Sequence, residues 1–223
     1  MEKNWAENKA ESSWLMFKIM SEFVEGFEKM PKIGPCISIF GSARTKEHEI
    51  YYEKAERLAA KLCNEGFGII TGGGPGIMEA ANRGAQSVNG KSVGLNIVLP
   101  HEQKPNEFID IDKSINHNFF FVRKVMFVKY AQAFVIFPGG YGTMDELFEV
   151  LTLVQTKKID KIPIILYGVE FWSGLKDWII NSMQFNGYVS DGDEDLLQIV
   201  DSTDDVVDII KKFYSKESLR PNF

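Results

Sequence analysis

The strongest constraint on this chain is an alternation. Short, continuous apolar runs at 36–40, 67–71, 93–99, 134–137 and 162–167 alternate with longer segments whose apolar residues recur at helical spacing. Those helical segments are 47–65, 77–88, 120–131, 143–155, 171–183 and a last one after Ser202. A strand without polar alternation has both faces buried, and strands separated by helices pair in parallel. Right-handed crossovers then predict an α/β fold, a doubly wound parallel sheet flanked by helices on both faces. Ligands of such sheets bind at the carboxyl ends of the strands. Every glycine cluster of this sequence falls at such an end.

The bulk numbers narrow the class. A length of 223 residues suits one sizeable core. The balance of 25 Lys+Arg against 31 Asp+Glu leaves a net charge of -6. That argues against a nucleic-acid polymer as partner, since such binders need a basic face to displace counterions. Cys36 and Cys63 lie in apolar segments without a Cys-x-x-Cys pair, which fits a reducing compartment. No run is long and apolar enough for a membrane span, and acidic Glu2, Glu7 and Glu11 do not suit a secretory signal. A cytoplasmic location is the expectation.

Residues 1–34 read as an amphipathic helical extension, with Met16, Met20, Phe23, Phe27 and Met30 at three- and four-residue spacing. It is expected to cover the core of its own domain, a single unit at 35–223. The least regular stretch, 101–117, carries Pro105 and several acids, and reads as a loop placed to close over a ligand.

Three strand-to-helix turns share one chemistry. They are Gly41-Ser42, Thr71-Gly72-Gly73-Gly74-Pro75-Gly76 and Pro138-Gly139-Gly140-Tyr141-Gly142-Thr143. Free backbone N–H groups and the positive end of a helix favour an anion there, and glycine permits close approach. Ser42 and Thr143 add hydroxyl donors. A glycine turn is also an ordinary tight connection, but three in one small domain point to a phosphate. The Gly72 loop departs from the dinucleotide fingerprint, because Ile77 stands at its third glycine position. No Gly-Lys-Ser/Thr follows a glycine loop, which excludes a P-loop enzyme. His48, His101 and His117 are scattered and suggest no metal site.

Two longer segments resemble a known family. They are Gly72-Gly73-Gly74-Pro75-Gly76-Ile77-Met78-Glu79-Ala80-Ala81 and Pro138-Gly139-Gly140-Tyr141-Gly142-Thr143-Met144-Asp145-Glu146, with Arg123-Lys124 between them. The resemblance is to the LOG ("lonely guy") phosphoribohydrolases, often mislabelled lysine decarboxylases, and runs from about Cys36 to the last helix. It implies a Rossmann-like domain that hydrolyses the N-glycosidic bond of a nucleoside 5'-monophosphate, such as AMP or a cytokinin riboside monophosphate. It also implies a homodimer or higher homo-oligomer with the site near the subunit interface. The family's catalytic pair falls on Arg123 and Glu146. Further substrate contacts fall on Lys124, on the segment from Gly139 through Gly140, Tyr141, Gly142 and Thr143 to Glu146, and on Thr152. Glu102 lies in a stretch that is longer and less family-like.

The chemistry is intelligible from the residues. Cleaving an N-glycosidic bond passes through an oxocarbenium-like cation, which a carboxylate stabilises while activating water. Glu146 sits one turn into the helix whose start would hold the phosphate. Arg123 is a permanent cation in an apolar segment and should have a partner. It is expected to hold Glu146 ionised and oriented, or to bind the ribose or base. The reaction needs no metal or other cofactor. Glu146 also reads as an ordinary solvated helix acid beside Asp145 and Glu149. The alternative function is a non-catalytic carrier of a nucleotide or phosphorylated cofactor. Lysine decarboxylation would need pyridoxal phosphate on a lysine, and no lysine is marked for it.

Overall fold

The computed structural model describes residues 9–99 and 104–223. Seven parallel strands form one sheet in the order β4-β3-β2-β1-β5-β6-β7. They are β1 (Cys36–Phe40), β2 (Gly68–Thr71), β3 (Ser92–Ile97), β4 (Ser114–His117), β5 (Ala131–Ile136), β6 (Ile164–Tyr167) and β7 (Leu197–Val200). The helices are α1 (Lys9–Ile33), α2 (Ile50–Asn64), α3 (Ile77–Ser87), α4 (Phe120–Tyr130), α5 (Tyr141–Gln155), α6 (Val169–Trp178) and α7 (Thr203–Tyr214).

The chain builds outward from β1 to β4, then crosses back so that β5 pairs with the other side of β1. The carboxyl ends of β1 and β5 therefore flank the point where strand order reverses, and a crevice opens there. Each inner strand serves both faces. In β1, Cys36 and Phe40 enter the layer under α1, α4, α5 and α6, while Ile37 and Ile39 enter the layer under α2, α3 and α7. In β5, Phe134 and Ile136 take the first layer, and Ala133 and Val135 the second. Continuous apolar runs are the sequence form of this two-sided burial.

Two strands depart from the expectation. β4 lies inside the stretch read as a covering loop, and β7 follows a turn the sequence did not mark as strand-forming. Both are four-residue edge strands; β4 reads Ser-Ile-Asn-His, with Ser114 and Asn116 turned away from the core. The described part of that stretch is also tied down rather than free. Asn106 N–H donates to Gly73 O at 2.8 Å, and Asn106 Nδ2 donates to Gly74 O and to Asn82 Oδ1, both at 3.0 Å. His101 and Glu102 lie outside the described residues.

Of the amino-terminal extension read over 1–34, Lys9–Ile33 form α1, and residues 1–8 lie outside the described residues; the packing of α1 agrees only in part with the expectation. Met30 and Ile33 join the core, with Ile19 and Phe23 packed against it. Met16, Met20 and Phe27, expected to point inward, are exposed, as are Trp14, Phe17 and Val24. α1 ends at Gly34, whose φ of +90° is the left-handed conformation glycine supplies after a helix. Pro35 follows and prevents its continuation.

Candidate active site

A cleft of about 720 Å³ opens at the switch point. All three glycine turns line it, through Gly41 and Ser42, Gly72 to Gly74, and Gly139 to Thr143, together with Arg123 and Glu146. The volume is in the range of small-molecule sites.

The three turns are bonded to one another. Ser42 N–H donates to Pro138 O, and Ile77 N–H donates to Ser42 O, each at 3.0 Å. Gly76 has a φ of +70°, and a Cβ there would stand 2.3 Å from Ser42 O. Part of the glycine signal is thus the close approach of one turn to another. The Gly41-Ser42 turn also does not lead straight into a helix, because α2 begins only at Ile50. The Ser42 amide is committed to Pro138 O, so that group is not a free helix-end donor as expected. The Ser42 hydroxyl accepts from Arg44 N–H at 3.1 Å and lines the cleft.

The start of α5 is different. The first amide to close a turn is that of Met144, which donates to Gly140 O at 3.0 Å. The N–H groups of Tyr141, Gly142 and Thr143 come before it, and no side chain caps the helix. Gly139 is fixed by its neighbour, since a Cβ there would meet the Thr143 hydroxyl at 2.1 Å. This is an anion-accepting helix start with a buried hydroxyl beside it.

One turn further along α5, Glu146 is 6% exposed. Arg123, from the first turn of α4, brings Nη2 to 3.8 Å from Glu146 Oε1. The guanidinium carbon lies 5.3 Å from the Phe120 ring centroid and 5.6 Å from that of Phe127. Arg123 Nε is buried without a hydrogen-bond partner. Burial pushes the Glu146 carboxyl from its ordinary 4.5 up to about 7, against opposing pulls from Arg123 and Lys124. Burial likewise lowers the Arg123 pKa, with Glu146 and Asp145 opposing. The acid is therefore poised near neutrality rather than held fully ionised, because desolvation outweighs the cation. A carboxyl in that state can give or take a proton at physiological pH.

Lys124 and Thr152 stand outside this cleft. Lys124 Nζ lies 2.8 Å from Asp145 Oδ1 and 3.0 Å from Glu149 Oε2. Thr152 donates to Phe148 O at 2.7 Å. Both line a neighbouring depression that shares Tyr141 and Met144 with the main cleft.

Sequence reasoning missed a buried network behind the Gly72 turn. Thr71 Oγ1 donates to Asn82 Oδ1 at 2.6 Å and accepts from Gly73 N–H at 3.0 Å. Asn82 Nδ2 donates to Ser92 Oγ at 2.9 Å. An asparagine at a core-facing helical position, between Ala81 and Ala85, was the available signal. Among the described residues no three His, Cys, Asp or Glu side chains converge as a metal site would require.

A glycine-lined crevice at the switch point of a parallel sheet, with an open helix start and a buried Glu–Arg pair, defines a Rossmann-like protein. A family model described as "Possible lysine decarboxylase" matches residues 78–210, and with more than half its length so matched the chain belongs to that family, the LOG family. A Mycobacterium tuberculosis relative, named cytokinin riboside 5'-monophosphate phosphoribohydrolase, is 31% identical over 171 residues, 74% of this chain and 88% of its own. An Arabidopsis thaliana protein of the same name is 30% identical over 162 residues, 69% of this chain and 72% of its own. Among solved structures, the molybdenum cofactor carrier protein of Chlamydomonas reinhardtii superposes with a TM-score of 0.60 at 20% identity, covering 82% of this chain and 99% of its own. At that identity the likeness speaks for the fold alone.

Proposed function

We propose that this protein hydrolyses the N-glycosidic bond of a nucleoside 5'-monophosphate, AMP or an N6-substituted AMP, releasing free base and ribose 5-phosphate. The observation that carries the reading is the placement of Glu146, buried and poised near neutrality, one turn inside the helix whose free amides suit a phosphate. The 5'-phosphate rests on the amides of Tyr141 to Thr143 and the Thr143 hydroxyl. The same rigid helix then sets Glu146 at the sugar. Its carboxylate stabilises the developing ribosyl cation and takes a proton from the attacking water, while the base leaves with the bonding electron pair and recovers that proton to give the neutral free base. Arg123 offsets the buried charge and orients Glu146 through the Nη2 contact. Lys124 and Thr152, outside the main cleft, belong to its rim.

The relatives named as cytokinin riboside monophosphate phosphoribohydrolases support this reading. We read the chain as a cytoplasmic homodimer; its cysteines are free, and no described helix is long and apolar enough to cross a membrane. The test is incubation of the pure protein with a panel of nucleoside monophosphates and their nucleosides, following free base by chromatography. Release from AMP or N6-substituted AMP, and not from the nucleosides, is the expected result. Tight binding with no release from any of them would replace the hydrolase with a carrier, the function printed in the name of the Chlamydomonas neighbour.

A further inference from the structure

The amino-terminal helix carries one buried acid. Glu22 is 7% exposed, on the face of α1 that meets α4. Its Oε1 accepts from Asn118 N–H at 2.9 Å and from Asn118 Nδ2 at 2.8 Å. Its Oε2 lies 3.5 Å from Nδ1 of His117, which is fully buried. Neither His117 nitrogen has a hydrogen-bond partner, and neither has Glu22 Oε2. Burial lowers the His117 pKa; Glu22 and Glu25 oppose this and Arg123 adds to it.

These residues form the joint between β4 and α4. Asn118 and Phe119 connect His117, the last residue of β4, to Phe120, the first of α4. Arg123 N–H closes the first turn of α4 on Phe119 O at 3.2 Å. α1 approaches closely here: a Cβ on Gly26 would stand 2.5 Å from Met126 Sδ. A buried carboxylate whose Oε1 is clamped by Asn118 while its Oε2 reaches only a 3.5 Å contact with His117 is a costly arrangement that packing alone does not call for. It buys a fixed origin for the helix that carries Arg123, while Arg123 itself has no bond to its Nε and only a 3.8 Å contact to Glu146.

We propose that Glu22 is a positioning residue for Arg123: by clamping Asn118 it sets where α4 starts, and so where the guanidinium meets Glu146. The extension that precedes the sheet is then a working part of the site. The inference rests on the hydrolase reading for its kinetic arm, and on ligand binding alone for its second arm.

The experiment is a double-mutant cycle between Glu22→Ala and Arg123→Ala, read as turnover of AMP and as AMP affinity by calorimetry. Glu22→Ala is expected to lower kcat by ~10–100-fold and affinity by a smaller factor of about five. In the Arg123→Ala background it should do neither. Glu22→Gln keeps an oxygen facing Asn118 and should return both readings to within about threefold of wild type. Asn118→Ala removes one of the two clamp bonds and should show the same coupling if Glu22→Ala does not fold. Losses of equal size in both backgrounds, or no loss in a folded Glu22→Ala protein, would overturn the proposal. A wild type that releases no base sinks the hydrolase reading alone, because the affinity cycle still decides the role of Glu22.

Discussion

Glu146 sets a conflict between stability and function that pH can expose. A carboxylic acid whose folded pKa lies above its unfolded value holds a proton that the unfolded chain has released. The folded state then loses stability as pH rises from about 4.5 to about 7, and the loss is complete above that window. Glu146→Gln removes the titration. It should raise the melting temperature at pH 8, with a gain on the order of 3 kcal/mol, and no gain should remain at pH 4. The same variant should cut base release by at least ~100-fold while nucleotide affinity stays close to wild type. An active Glu146→Gln protein would remove the residue from the mechanism. In the wild type, kcat/KM should fall on the acid side with a midpoint near pH 7, since that ratio reports the free enzyme. Thr143 tests the other end of the ligand. Losing one hydrogen bond to a charged phosphate costs about 1.5–3 kcal/mol, so Thr143→Ala should weaken monophosphates by ~10–100-fold. Nucleosides should be nearly unaffected, and equal losses for both would refute the phosphate role.

The glycine turns act as a unit, and their roles separate once their contacts are known. Gly76 needs a positive φ and has no room for a Cβ beside Ser42 O, so Gly76→Ala should strain the turn and push the Gly41-Ser42 segment away. A melting temperature lower by several degrees is expected, with nucleotide affinity falling because the two turns share a bond. Unchanged stability would show that the turns move independently. How far such elements could be read in advance depended on what encoded them. The five strands with continuous apolar runs were legible because two-sided burial leaves no alternative composition. β4 and β7 were not, because a four-residue edge strand needs few apolar side chains and inherits its register from a neighbour. Arg123 and Glu146 were legible as a pair through the family motifs, and the structure brings them together. The poise of Glu146 was not legible. It depends on burial at the cleft, which no local spacing records. Glu22 was hidden for the same reason, since its partners Asn118 and His117 lie ninety-six and ninety-five positions away.

At the scale of the whole molecule, α1 has two faces with different fates. One carries Glu22, Gly26 and Met30 against α4 and the sheet. The other leaves Trp14, Phe17, Met20 and Val24 in solvent, with Phe17 61% and Val24 62% exposed. Single exposed apolar residues are ordinary, but several on one helix face are a feature that a monomer rarely keeps. The homodimer proposed above predicts that a second copy of the chain covers this face, in an isologous association to which each α1 would contribute the same side chains. Because α1 also anchors the start of α4, pairing would brace the site from outside. The pure protein should therefore sediment at about twice the 25.3 kDa chain mass, and this should hold on dilution. Combining Phe17→Glu with Val24→Glu places like charges on the face without touching the core, and should give a monomer that remains folded. That monomer should retain the Glu146 chemistry but turn over AMP more slowly, as α4 loses its outer support. A wild type that sediments as a monomer would assign the face to a different partner. A double variant that stays dimeric would move the interface elsewhere on the molecule.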